Sequence, residues 1–455
     1  MRAAASGGGA LRPGQDVEVR IEKAVFRGRG LGRVEGRVVF VPRAHAGDRV
    51  RARVREVHAG WAEADLVLVL EPAPERRASP CPFVPRCGGC AYQDLGYEAQ
   101  LRAKESVLLE SLRRSGAAWE GAVTVHPSPE TGWRMRASLH FAPGPDGPRL
   151  GLRQEGTRRV VDVASCLQLS GRMNAAARAL RDALASRPAV AGRVRGLDLL
   201  ESGDGKRLLA TLETALLPHE VPSLAPIASA VPEVDGLGVN AGRRLHWLHG
   251  EPFVESTVLG VTLRAHASSF FQGNRFLLEA LARTVVDLVP PGPGWVVDLY
   301  AGVGLFALPL AARGEGEVLA VEWSGTAAED ARWNAGRNRL GAVRVVEKGV
   351  EAALLSLGPG GGERIVLDPP RTGAGPEVVG LVAARAPQAI VYVSCDPPTL
   401  GRDLAAFARA GYRANAVHLF DLFPDTFHME TVVRLLPDPL PDPLPDPRGA
   451  RVDLG

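Results

Sequence analysis

One pattern in the last third of the chain leaves few folds open. A short apolar segment is followed by a helix-forming stretch, and the unit repeats. The apolar segments are Trp295–Tyr300, Val318–Glu322, Val343–Glu347, Arg364–Asp368 and Ile390–Ser394. They are too short for helices and are bounded by polar, Gly or Pro residues. Asn274–Val289 and Gly304–Ala312 read as helices, and further helical stretches separate most of the strands. Continuous apolar strands alternating with helices predict an α/β domain, with an open, mostly parallel sheet covered on both faces. Ligands of such sheets bind beyond the carboxyl ends of the strands. Ionisable residues at those ends are therefore the candidates for function.

The first strand runs into Asp298-Leu-Tyr-Ala-Gly-Val-Gly-Leu305. Its two glycines let the backbone turn tightly and approach a ligand, but the phosphate fingerprint G-x-G-x-x-G is absent. Glu322 ends the next strand, where a carboxylate can accept both hydrogens of a ribose diol. Asp298 and Glu322 together would repel a pyrophosphate. A phosphate-free cofactor with a cationic centre fits better, and S-adenosylmethionine is one. Asp368 ends a later strand, before Pro-Pro-Arg-Thr-Gly. Cys395 ends the one after, just before a helix whose N-terminus is expected to lower the thiol pKa. Glu430 opens a last strand, Thr431–Leu435, among Phe and Met, where burial would raise its pKa and make it a usable base.

A length of 455 residues suggests about three domains. Residues 12–72 read as short Val-rich strands around a flexible basic loop, Arg27–Arg33, together a small β-barrel. Residues 1–80 hold 15 Lys or Arg against 10 Asp or Glu, while the whole chain is only +3. A basic front module fits a nucleic-acid partner; an Arg-rich, GC-rich coding bias gives the same count. A charged amphipathic helix is expected over 97–114 and an α+β segment over 123–255. The five cysteines are an odd number in a chain without an apolar leader, which argues against a disulfide scaffold. Cys81, Cys87 and Cys90 fall within ten residues, and Cys166 supplies a fourth sulfur. Four thiolates suit zinc or an iron–sulfur cluster equally by count. No apolar run reaches membrane-spanning length, so the expectation is a cytoplasmic protein with no membrane partner. The tail repeats Leu-Pro-Asp-Pro three times and reads as extended and disordered.

These motifs match a known family. The chain resembles the bacterial RNA (uracil-5-)-methyltransferases, most closely the ribosomal-RNA branch with an N-terminal TRAM barrel and an iron–sulfur cluster. The resemblance covers nearly all of 12–436. It rests on Phe270-Phe-Gln-Gly-Asn274, Asp298–Leu305, Leu367-Asp-Pro-Pro-Arg371, Ser394-Cys-Asp-Pro-Pro398 and the Phe423–Glu430 block, in that order. It implies a TRAM-like barrel at 12–72, a central domain at 78–262, a Rossmann-like methyltransferase domain at 263–436 and a tail at 437–455. It implies that Cys81, Cys87, Cys90 and Cys166 hold a [4Fe–4S] cluster. Gln272, Tyr300, Glu322 and Asp368 would contact S-adenosylmethionine or the reacting uracil. Cys395 would be the nucleophile and Glu430 the proton acceptor. Phe270 and Phe271 are candidates to stack on the target base. The related cytosine enzymes carry a second cysteine after the Pro of the motif holding Asp368; Arg371 stands there, which favours uracil. The acidic or amide residue often found after the third strand is here Gly349, so the adenine contact would pass to backbone or to a neighbour such as Glu347. The expected activity is carbon-5 methylation of a uridine in 23S ribosomal RNA by a monomer. The same chemistry on transfer RNA, and a catalytically silent RNA-binding iron–sulfur protein, are the alternatives.

Overall fold

A computed structural model describes residues 11–438 except 146, 243, 315 and 359. The Pro-rich repeats expected to be extended lie, from 439 onward, outside the described residues. The first five strands are β1 (Asp16–Val25), β2 (Arg29–Val34), β3 (Arg37–Pro42), β4 (Arg49–Val57) and β5 (Trp61–Glu71). They close into a barrel in the order β1-β2-β3-β5-β4. Val17, Val19 and Ile21 on β1 alternate inward with Val50, Ala52 and Val54 on β4, as period-2 patterning requires.

The segment Arg27–Arg33, expected as a flexible loop, is mostly strand β2. A Cβ on Gly30 would lie 2.4 Å from the Ala44 carbonyl oxygen, and one on Gly32 would lie 2.3 Å from that of Arg20. These glycines answer a close backbone approach inside the barrel, not a need for mobility. What remains of the loop is the turn Phe26–Gly28. It rests on later parts of the chain: the Phe26 ring sits edge-on to Phe427 at 6.0 Å.

The middle of the chain holds α1 (Tyr97–Arg114), β6 (Thr124–His126), β7 (Arg136–Ala142), β8 (Arg149–Arg153), β9 (Val160–Asp162), α2 (Gly171–Ala185), α3 (Pro188–Ala191), β10 (Val194–Glu201), β11 (Leu208–Thr214), α4 (Ala225–Ala230), β12 (Gly236–Ala241) and β13 (Arg244–His249). Among the described residues, β7 to β13 form a sheet in the order β13-β12-β11-β10-β7-β8-β9. Met173, Ala176, Leu180 and Leu184 of α2 are buried with it. A hairpin, β14 (Phe253–Val258) and β15 (Val261–His266), leads into the last third.

There follow α5 (Leu278–Leu288), β16 (Val296–Leu299), α6 (Ala307–Ala312), β17 (Val318–Glu322), α7 (Gly325–Arg337), β18 (Val343–Glu347), α8 (Val350–Ser356), β19 (Arg364–Leu367), α9 (Gly375–Ala384), β20 (Ala389–Ser394), α10 (Pro397–Arg409), β21 (Tyr412–Phe420) and β22 (Glu430–Pro437). The sheet order is β18-β17-β16-β19-β20-β22-β21-β6. Strands β16 to β20 are parallel; β22 inserts antiparallel between β20 and β21. Val296, Val366 and Val391 face one apolar layer, while Val297, Ile365 and Ile390 face the other. Burial on both faces explains why these strands lack apolar–polar alternation. Chain order reverses at β16, which lies between β17 and β19, so a ligand crevice opens at its carboxyl end. Two early segments complete this unit: β6 pairs with β21, and Val107, Leu108 and Leu112 of α1 pack into its core.

Candidate active site

The turn after β16 is unusual in its backbone. Tyr300 has φ +64°, Gly302 +56° and Gly304 +94°, all left-handed, and costly for the tyrosine. A Cβ at Gly304 would meet Leu308 at 2.0 Å, whereas one at Gly302 would meet nothing within 4 Å. Gly304 thus serves packing, and Gly302 leaves the floor of the crevice open. Glu322 locks this floor from the end of β17. Its Oε2 accepts the Gly302 N–H at 2.9 Å and its Oε1 the Ser324 N–H at 2.7 Å.

Asp298 lies fully buried beneath. Its Oδ2 accepts the Ala307 N–H at 2.9 Å, and its Oδ1 has no partner among the described residues. Burial, with the charges of Asp368 and Glu322, holds the Asp298 carboxyl well above the usual range. Asp368 stands level with Tyr300, because Leu299 pairs with Leu367. Burial pushes its carboxyl up to about 7. Three carboxyl groups gathered at one open glycine turn, one of them with an orphaned buried oxygen, suit a ligand that brings positive charge. S-adenosylmethionine fits this donor set; a diphosphate does not.

Cys395 and Glu430 come together through strand pairing. Ser394 is opposite Thr431 in the antiparallel β20–β22 ladder, so the next residues, Cys395 and Glu430, face each other at its end. Glu430 is buried, and burial plus the Asp368 charge holds its carboxyl well above the usual range. The expected low pKa of Cys395 is not found. Burial, then the Glu430 and Asp368 carboxyls, push the thiol up to about 12. Helix α10 does begin beside it, but Asp396 caps that end, accepting the Thr399 N–H at 3.1 Å. The cap places negative charge where the helix would otherwise stabilise a thiolate. Arg371 opposes the shifts of both Cys395 and Glu430.

The Phe270–Asn274 loop is stapled by its last residue. Asn274 Nδ2 donates to Ser128 Oγ at 2.9 Å and to the Leu422 carbonyl at 3.0 Å. Gln272 is buried within this loop, Phe270 is exposed, and Phe271 lies in the core. Of the two aromatics expected to stack on a base, Phe270 alone is presented. Glu347, the neighbour expected to reach adenine, is engaged by Arg332 at 3.2 Å. Glu351, two residues past Gly349, is one of two carboxylates, with Asp403, whose charges add to burial at Tyr300, and Trp323, just after Glu322, is 76% exposed. Neither was singled out from sequence; an aromatic directly after the strand-end acid was the available signal.

The segment before Glu430 is pinned by residues that sequence reasoning also missed. Lys104 of α1 is fully buried against Asp421 and donates to the Phe423 carbonyl at 3.1 Å. The Asp425 carboxylate accepts from Gln93 at 2.6 Å and from Gln100 at 3.1 Å, and its carbonyl accepts the N–H groups of Ala91 and Tyr92. Gln168 donates both to Cys90 Sγ at 3.0 Å and to the Pro424 carbonyl at 3.1 Å. The cysteine loop and the segment before Glu430 are therefore one hydrogen-bonded unit. Its rarest signal in the sequence was Lys104, one of only four lysines.

Cys81, Cys87, Cys90 and Cys166 are all free thiols. Among the described residues, no three His, Cys, Asp or Glu side chains are arranged to hold a metal ion. The four thiols do lie near one another, since Cys87, Cys90 and Cys81 each interact electrostatically with Cys166. The Gly89 N–H points at Cys87 Sγ at 3.5 Å, and Gln168 reaches Cys90. N–H donors aimed at sulfur are the surroundings a ligating thiolate needs.

An open sheet with a carboxylate-rich glycine turn at its switch point defines a Rossmann-like, S-adenosylmethionine-dependent methyltransferase. Residues 354–437 match the tRNA (Uracil-5-)-methyltransferase family model and residues 10–67 the TRAM domain model. A 23S rRNA (uracil(1939)-C(5))-methyltransferase of Alkalilimnicola ehrlichii is 34% identical, over 92% of this chain and 96% of its own length. An uncharacterized RNA methyltransferase of Streptomyces coelicolor is 34% identical over 93% of both chains. The Pyrococcus abyssi tRNA (uracil-54, C5)-methyltransferase, crystallised with S-adenosyl-L-homocysteine, superposes with a TM-score of 0.73 at 26% identity, over 91% of this chain and 99% of that one. The chain belongs to the RNA (uracil-5-)-methyltransferase family and is an enzyme of that class. No helix of the described residues is long and apolar enough to cross a membrane.

Proposed function

We propose that this enzyme methylates carbon 5 of a uridine in 23S ribosomal RNA, in the cytoplasm, through a covalent cysteine–uracil adduct. The observation that carries the chemistry is the Ser394–Thr431 pairing, which sets Cys395 against Glu430 beside Asp368. Carbon 5 of uracil is a poor nucleophile. Cys395 reacts as the thiolate, its proton passed to solvent and the charge opposed by Arg371. When Sγ bonds to carbon 6, the electron pair of the carbon 5–carbon 6 double bond moves onto the carbon 4 carbonyl as an enolate. Carbon 5 then takes the methyl group that S-adenosylmethionine supplies. Glu430 accepts the hydrogen of carbon 5 as a proton, the double bond re-forms and Sγ departs. One difficult step becomes several easier ones.

The roles of the other residues follow their positions. Glu322 accepts from the ribose hydroxyls while holding the glycine turn. On this reading Asp368, Gln272 and Tyr300 contact S-adenosylmethionine or the reacting uracil. Arg371 stabilises the thiolate and the enolate. Phe270 stacks on the uracil once it has left its helix, a cost of about a few kcal/mol. Cys81, Cys87, Cys90 and Cys166 would hold a [4Fe–4S] cluster, whose thiolate–iron bonds would tie 81–90 to 166 as a cross-link behind the segment before Glu430.

Ribosomal RNA is favoured over transfer RNA by the named relatives at 33–34% identity, while the solved structure at 26% identity is a transfer-RNA enzyme. Mass mapping of 5-methyluridine in both RNAs from a deletion strain separates them. One ribosomal site is expected to lose its methyl group; loss confined to transfer RNA overturns the substrate reading.

A further inference from the structure

The barrel's arginines are largely neutralised by their own module. Arg20, Arg29, Arg49, Arg53 and Arg55 each pair with a barrel carboxylate. The hairpin β8–β9 of the central sheet is different. Arg149, Arg153, Arg158 and Arg159 lie on it, and Arg86 of the cysteine loop borders the same cavity as Arg149, Arg159 and Gln154. None of these five makes an ion pair or side-chain hydrogen bond among the described residues. The hairpin's two acids are already engaged. Glu155 pairs with Arg43 at 3.2 Å, and Asp162 accepts the Leu150 N–H at 3.0 Å and lies 3.8 Å from Arg181.

This surface is tied to the segment before Glu430. The Gly88 N–H donates to the Arg153 carbonyl at 3.0 Å, and a Cβ on Gly88 would fall 2.8 Å from that oxygen. Arg43 donates to the Cys87 carbonyl at 2.8 Å, and the same loop holds Asp425 through the N–H groups of Ala91 and Tyr92. Uncompensated guanidiniums repel one another and weaken a fold unless a partner neutralises them. Several of them along one short strand and its turn exceed what one small anion requires and match a chain of phosphates, which the arginine fork binds in bidentate fashion.

We propose that the β8–β9 hairpin, with Arg86, is the main electrostatic grip on the RNA backbone, ahead of the barrel. This deepens the RNA-methylation reading and rests on it. The test uses the full chain and a labelled single-stranded RNA, with the dissociation constant followed against salt. Combined Arg149→Gln, Arg153→Gln and Arg159→Gln should flatten the log–log salt dependence by about 2, at about 0.7 per lost phosphate contact. Affinity at low salt should fall by about tenfold or more, with S-adenosylmethionine affinity unchanged. Each single variant should flatten the slope by about 0.7, which keeps the test decisive if the triple variant folds poorly. Arg53→Gln/Arg55→Gln in the barrel should keep the wild-type slope. A wild-type slope in the triple variant, an equal loss in the barrel variant, or loss of binding to anionic phospholipid vesicles with RNA binding intact would each overturn the proposal. Failure of the wild-type chain to methylate any RNA would fault the catalytic reading and leave the binding measurement standing.

Discussion

At the scale of single residues, Asp368 carries the clearest pH consequence. Its carboxyl is held at about 7 by burial, against an ordinary 3.8. The protonated form is favoured in the folded, cofactor-free enzyme. Its contribution to stability is complete below 3.8 and is lost as pH rises through about 7. A sulfonium placed beside it favours the ionised form, so cofactor binding should expel a proton at about pH 6. Calorimetry in buffers of different ionisation enthalpy should show this release, with S-adenosylmethionine binding tightening as pH rises towards about 7 and the release abolished in Asp368→Asn. Binding independent of pH and buffer would contradict it. The positions of Glu322, Asp368, Cys395 and Glu430 at strand ends were legible, because a strand and its polar terminus are local features. The state of Cys395 was not, because the carboxyls that raise its pKa arrive from β19 and β22 and its cap from Asp396, and only pairing brings them together.

At the scale of elements, the α/β alternation was legible because burial on both faces writes itself as continuous apolar runs. Strand β2 was not, since Gly30 and Gly32 carry a packing constraint that in sequence looks like flexibility. The attachment of α1 and β6 to the large sheet was also hidden, as it depends on contacts some three hundred residues apart. Lys104 and Asp421 fasten α1 to the segment ahead of Glu430. Lys104→Ala leaves a buried, unpaired carboxylate, so unfolding free energy should fall by about 3–5 kcal/mol. Lys104→Met with Asp421→Leu should recover most of that loss, because matched apolar groups replace a buried pair at little cost. Denaturant unfolding of the two variants distinguishes this from simple loss of packing, which the double variant would not restore.

At the scale of the whole molecule, the barrel, the cysteine loop and the large sheet converge on one short stretch of chain. The barrel touches Phe427 through Phe26, the cysteine loop holds Asp425, and the catalytic sheet presents Glu430. If Cys81, Cys87, Cys90 and Cys166 hold a cluster at this junction, the anaerobically purified chain should contain about four irons with matching sulfide. Cys90→Ser should lose them, and amide exchange in 421–430 should quicken with that loss. Zinc without sulfide in the wild-type chain would contradict the cluster. The central claim, a reversible bond between Cys395 and the uracil ring, is tested most directly with Glu430→Gln. Incubated with target RNA and S-adenosylmethionine, this variant should trap methylated RNA on Cys395 as a slow band that survives a denaturing gel, because the carbon 5 proton has no acceptor. The band should vanish in Cys395→Ala/Glu430→Gln. Full turnover by Glu430→Gln, or persistence of the band without Cys395, would contradict the account.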